Sequence, residues 1–161
     1  MALRKPIVIG ANGKFQQLQA ADTIASSNAG TDTLSQTNGE AGAIVVGNVV
    51  YTFAAGSVKK AQANAQGTAD VLGMVMDATV AAAGTATIAT RGFITATTTQ
   101  WDAVTGQTGG LTLSASYFLD PTTAGKITTT PPTTAGQFVV LLGTALSTTD
   151  FMLDVEPEVL L

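Results

Sequence analysis

Along residues 43–161, short runs of β-branched and aromatic residues recur about every ten to fifteen positions, bounded by Gly, Pro, Asn or Asp. This rhythm constrains the fold more than any other feature. A helix needs apolar residues at every third or fourth position over ten or more residues, and that pattern is missing. The runs are Ile44–Phe53, broken at Gly47-Asn48 by a tight turn or bulge; Val71–Met76, with a small residue in its middle; Thr85–Thr90 and Gly92–Ala96, a strand pair near a glycine; then Tyr117–Leu119, Lys126–Thr128, Phe138–Leu142 and Phe151–Val155. Turn chemistry agrees. Asn12-Gly13 is the favoured two-residue hairpin pair, Asp120–Gly125 closes one strand and launches the next, and Thr130-Pro131-Pro132 separates two more. Helical signals are sparse: Lys59–Gln66 fits two turns or an exposed loop, and Thr99–Val104 fits one turn capped by a Thr. No repeat of solenoid or propeller length is present. The expected fold is all-β, a small barrel or sandwich body with an extended N-terminal arm.

Composition divides the chain. Residues 1–19 hold Arg4, Lys5, Lys14 and three glutamines, and residues 20–42 offer only Ile24 and Leu34 as large apolar groups. Residues 1–42 therefore read as an arm and linker, and residues 43–161, which carry nearly all the Val, Leu, Ile and aromatics, as the body. Mean hydropathy is +0.32 with only 11% charged residues. Burial between copies of the chain is the expected outlet for that apolar excess. The longest apolar stretches, Ala43–Val46 and Phe138–Leu142, are far below the roughly 18 residues of a membrane helix, and no signal-peptide core follows Arg4-Lys5.

The chain has no Cys and no His, which excludes disulfides, Cys/His zinc sites, Cys nucleophiles and His-based triads. Absent Cys also suits a reducing cytoplasm. Ala and Thr make up about a third of the residues, so few side chains carry reactive chemistry. With 7 basic and 11 acidic residues, and cations scattered as Arg4-Lys5, Lys14, Lys59-Lys60, Arg91 and Lys126, no basic stripe exists for a nucleic acid.

Paired carboxylates are the catalytic option that survives. A glycosidase would need two in a cleft with aromatic platforms, and one Trp and two Tyr provision such a cleft poorly. Asp70, Asp77, Asp102 and Asp120 sit at strand ends and turns, where Asp ordinarily bonds local backbone. Asp150, Asp154, Glu156 and Glu158 lack calcium-loop spacing and read as a solvated acidic tail or a contact for Arg4-Lys5. The clusters Gly10–Gly13 and Gly106–Gly110 lack the following helix and Lys-Ser or Lys-Thr pair of a phosphate loop and read as turns. No catalytic, cofactor or metal residue is assigned. Trp101, the lone Trp, is either a core plug under a loop or an interface anchor.

The run Gly110-Leu111-Thr112, Tyr117-Phe118-Leu119, Gly125-Lys126-Ile127-Thr128, Pro131-Pro132, Gly136-Gln137-Phe138-Val139 and Leu142-Gly143-Thr144-Ala145-Leu146-Ser147 resembles a strand module of tailed-bacteriophage virion structural proteins. Val71–Val75 and Arg91–Ile94 are similar to strands of head-decoration (capsid cement) proteins, and Lys5–Ile9 through Phe15–Leu18 to the start of phage head, tail and fibre components. The resemblance implies a non-enzymatic, β-rich subunit on the capsid exterior, assembled in the host cytoplasm. It implies a homo-oligomer, trimer before dimer, that bridges neighbouring major capsid subunits, with no cofactor, nucleic acid or membrane partner. Expected contacts to capsid or subunit are Arg4, Lys5, Ile7, Val8, Ile9, Phe15, Leu18 and Trp101. The alternatives are a tail, collar or baseplate component, or a host-surface carbohydrate-binding module.

Overall fold

The computed structural model describes residues 7–9, 15–17 and 30–161. Ile7–Ile9 (β1) and Phe15–Gln17 (β2) pair antiparallel with Ile9 opposite Phe15; the expected Asn12-Gly13 turn between them lies outside the described residues. The body follows as Asp32–Asn38 (β3), Ile44–Val45 (β4), Val49–Ala54 (β5), Ser57–Lys60 (β6), Gln66–Ala69 (α1), Val71–Val75 (β7), Thr79–Val80 (β8), Thr85–Thr95 (β9) and Thr98–Thr105 (α2). Ser116–Leu119 (β10), Ile127–Thr128 (β11), Phe138–Val139 (β12), Leu141–Ala145 (β13), Asp150–Leu153 (β14) and Val159–Leu160 (β15) complete it. The protein is all-β, a small closed barrel with additional strands; over residues 30–161 strands account for 42% and helices for 9%.

The barrel closes through β9-β3-β6-β5-β7 and back to β9; every pairing is antiparallel except β3 with β6. The second sheet, β9-β14-β13-β10-β11, shares β9 with it. Thr85–Thr95 is thus one strand of 11 residues rather than the expected pair. Its first part faces β3 and β7, and Gly92–Thr95 pair with β14. Gly92 makes this handover possible. At φ +106 it has a backbone few side chains tolerate, and a Cβ there would overlap the carbonyl of Gly30.

Two cores lie on opposite faces of the shared wall. Ile44, Val50, Val58, Val75, Val80, Ala86 and Ile88 fill the barrel. Their chain neighbours Val49, Met74 and Ala89 point the other way, into a larger core with Trp101, Val104, Tyr117, Leu119, Phe151 and Leu153. A wall buried on both faces explains the apolar doublets Val49-Val50, Met74-Val75 and Ile88-Ala89, because period-two alternation then has no polar side to show. The small residue in β7 also has a cause: a Cβ on Gly73 would overlap the Ala89 carbonyl oxygen of β9.

Three further sequence expectations change. Residues 32–38, placed in the arm, form β3 of the barrel, so the body begins upstream of residue 43. Backbone pairing needs no apolar side chain, and Asp32, Thr33, Ser35 and Thr37 face outward while Leu34 and Asn38 face in. Asn38 is buried, and its amide donates to the carbonyls of Gly42, Val80 and Ala81 at 3.0–3.1 Å. Lys59 and Lys60 belong to β6, and helix begins only at Gln66, because Ala61 and Ala63 are wholly buried in the larger core. Phe138–Leu142 splits at Val140 into β12 and β13, each paired with a different partner. The Gly47-Asn48 turn stands as expected. Gly47 lies at φ +84, and Asn48 accepts from Val45 N–H and donates to Gly125 O.

Candidate functional site

Hydrogen bonds to nearby loops and strands engage several of the acidic side chains that could have formed a site. Asp70, expected to bond local backbone, accepts none among the described residues and lines a shallow cleft with Glu156 and Glu158. Asp77 accepts from Thr87 N–H. Asp102, on α2, accepts from Gly109 and Gly110 N–H at 3.2 and 2.7 Å, and so ties down the Gly106–Gly110 cluster. The Gly109 and Gly110 amides that a phosphate would need are thus engaged by a carboxylate, and a Cβ on Gly110 would overlap the Thr148 carbonyl, so this cluster is a turn. Partial burial pushes the Asp120 carboxyl up, but hydrogen bonds from the Thr122 hydroxyl and the Thr122 and Thr123 amides, with Lys126 nearby, hold it below its ordinary value.

At the β13–β14 turn, hydrogen bonds from Ser147 and Thr95, both at 2.7 Å, lower the Asp150 carboxyl against a smaller opposing effect of burial, with Thr149 assisting. Asp150 also sits opposite Thr95 in the β14–β9 register, so one side chain fixes a turn and a strand pairing. Asp154 forms an ion pair with Arg91 at 3.6 Å, mostly in solvent. No three metal-ligating side chains cluster among the described residues. No described helix is long and apolar enough to cross a membrane.

Trp101 belongs to the core. It is fully buried on α2, its ring centroid 5.8 Å from that of Phe151, and its Nε1–H donates to Thr149 O at 2.8 Å. Thr97 and Gln100 form a reciprocal capping box at the start of this helix, and Gly106 ends it at φ +69. Trp101 has no exposed surface with which to meet another subunit, so the interface-anchor reading is dropped. Of the other expected contacts, Ile7, Val8 and Ile9 form β1 and Phe15 opens β2, while Arg4, Lys5 and Leu18 lie outside the described residues.

Sequence reasoning missed the large apolar side chains that stay outside. Phe93 and Met152 are directly opposite on β9 and β14, 47% and 41% exposed, on the face of the second sheet turned away from Ile94, Phe151 and Leu153. Leu141 and Thr144 lie on the same side and, with Met152, Asp154 and Glu156, line a shallow groove. The signal was period two within Phe93-Ile94 and Phe151-Met152-Leu153, but an all-apolar run does not say which face is inner.

The chain matches no protein-family model, and no curated protein matches it.

Proposed function

We propose that this chain is a structural decoration, or cement, protein of a tailed-bacteriophage head. In this reading it binds the capsid exterior as a homo-oligomer, trimer before dimer, bridges neighbouring major capsid subunits and performs no catalysis. The observation that carries the reading is a strand-forming segment joined to a barrel that is complete without it. Among the described residues, β1 and β2 pair only with each other, whereas the barrel closes on itself. A two-stranded ladder is marginal alone and gains most by adding to another protein's surface. The virion-like module at residues 110–147 supports the same reading, its Tyr117–Leu119, Ile127-Thr128, Phe138-Val139 and Leu142–Ala145 runs falling on β10 to β13.

Deletion of residues 2–19 tests the reading. The truncated chain is expected to keep the circular dichroism of the body and to lose attachment to purified expanded capsids, with Arg4→Ala and Lys5→Ala giving a smaller, salt-sensitive loss. Unchanged capsid occupancy by the truncated chain would refute the arm's role. Copy number in purified virions separates head from tail: a number that follows the major capsid protein fits decoration, and a small fixed number fits a tail or collar part.

A further inference from the structure

We infer that the outer face of the second sheet, centred on Phe93 and Met152, is the docking surface for the chain's own N-terminal segment, residues 7–17, in the free protein. Three observations converge on this occupant. The first is where the chain leaves the body. A Cβ on Gly30 would lie 3.6 Å from the Phe93 ring. The Thr31 hydroxyl is stitched to the same residue, accepting from Phe93 N–H at 3.0 Å and donating to Phe93 O at 3.1 Å. Gly30 and Thr31, through which residues 1–29 join the body, therefore lie beside the apolar patch. Twelve residues separate Gln17 from Gly30, enough to span up to about 40 Å when extended, so the β1–β2 ladder reaches the face with slack to spare.

The second observation is charge. Residues 1–29 hold Arg4, Lys5 and Lys14 against Asp22, a net +2; the chain totals −4, which leaves −6 on residues 30–161. The acidic groups reach the patch itself: Asp154 and Glu156 line its groove, and Arg91 is the cation paired there. The third is apolar character, in the sequence of the segment and on the exposed face. Ile7, Val8, Ile9 and Phe15 concentrate apolar residues in a two-stranded ladder that cannot build a core. Phe93 and Met152 present a matching strip, paired across β9 and β14 and half open to solvent. A short tether raises the local concentration of the segment to the millimolar range, so modest contacts suffice. Docking on the body and capture by a capsid would be alternatives for the same residues. The inference does not rest on the virion reading, because its test needs only the isolated full-length chain.

The absence of native cysteine makes disulfide trapping clean. In Ile9→Cys with Met152→Cys, mild oxidation is expected to give an intramolecular crosslink. Ile9→Cys with Phe53→Cys, on the β5–β6 hairpin, should give none. In a separate variant, Met152→Ser should leave the melting temperature of the body unchanged while trypsin cleavage after Lys14 speeds up about tenfold, because cleavage tracks the undocked population. Equal crosslinking to both partner positions, crosslinks that join only separate chains, or a cleavage rate indifferent to Met152→Ser would overturn the inference.

Discussion

Replacing Trp101 by Phe and by Ala should separate the two things this side chain does. The indole fills space between α2 and Phe151, and its Nε1–H reaches Thr149 O. Trp101→Ala removes both and leaves a cavity in the larger core, where such truncations cost about 3–5 kcal/mol. Trp101→Phe keeps most of the packing. The Thr149 carbonyl keeps a second donor, Ala96 N–H at 3.0 Å, so it is not orphaned. The hydrogen bond then contributes only its net value of about 1 kcal/mol, and the lost ring volume adds a comparable amount, for a total of about 2 kcal/mol. Urea titration followed by far-UV circular dichroism is the assay, since the substitution removes the Trp fluorophore. With a slope of about 2 kcal/mol per molar, the midpoint should fall by about 1 M for Phe and about 2 M for Ala, with the slope itself unchanged. If Trp101→Ala shifts the midpoint no further than Trp101→Phe, the residue is not the core plug described here and the reasoning fails.

Two further outcomes follow from the same packing and hydrogen bonds. Gly73→Ala should destabilise the barrel by about 1–3 kcal/mol, read as a drop in melting temperature, because the added Cβ overlaps the Ala89 carbonyl of the neighbouring strand and only a backbone shift relieves it. The lowered Asp150 carboxyl should make stability fall in acid. Its contribution is complete above the ordinary carboxylate value, about 4, and is lost as pH falls through the lower folded value, so Asp150→Asn should flatten the melting-temperature profile in that acid window and leave its shape near neutrality alone.

The strand-rich class of this protein was legible in its residues because β-branched runs and Gly, Asn and Asp turns act locally. Val49 to Phe53, Val71 to Val75 and the Asp120–Gly125 turn form as their own chemistry dictates. So was the backbone duty of Asp120, since a short carboxylate at a strand end finds amides two and three residues on, whereas Asp102 reaches amides seven and eight residues away across the end of α2. The partners were not legible. Strand β3 carries a polar sequence that reads as linker, and it becomes barrel wall only because β9 and β6 supply backbone partners distant in the chain. The doublets at Val49, Met74 and Ile88 announced burial, but their division between two cores depends on a second sheet covering the barrel wall. The same holds for the surface. Phe93 and Met152 belong to runs as apolar as those of the core, and whether such a residue faces in or out is set by register against β14 and β9, one position deciding the whole face. Local propensity acts through nearest neighbours and is written in the chain; closure, register and the inner side of a sheet come from contacts between residues far apart, and only the tertiary structure chooses them.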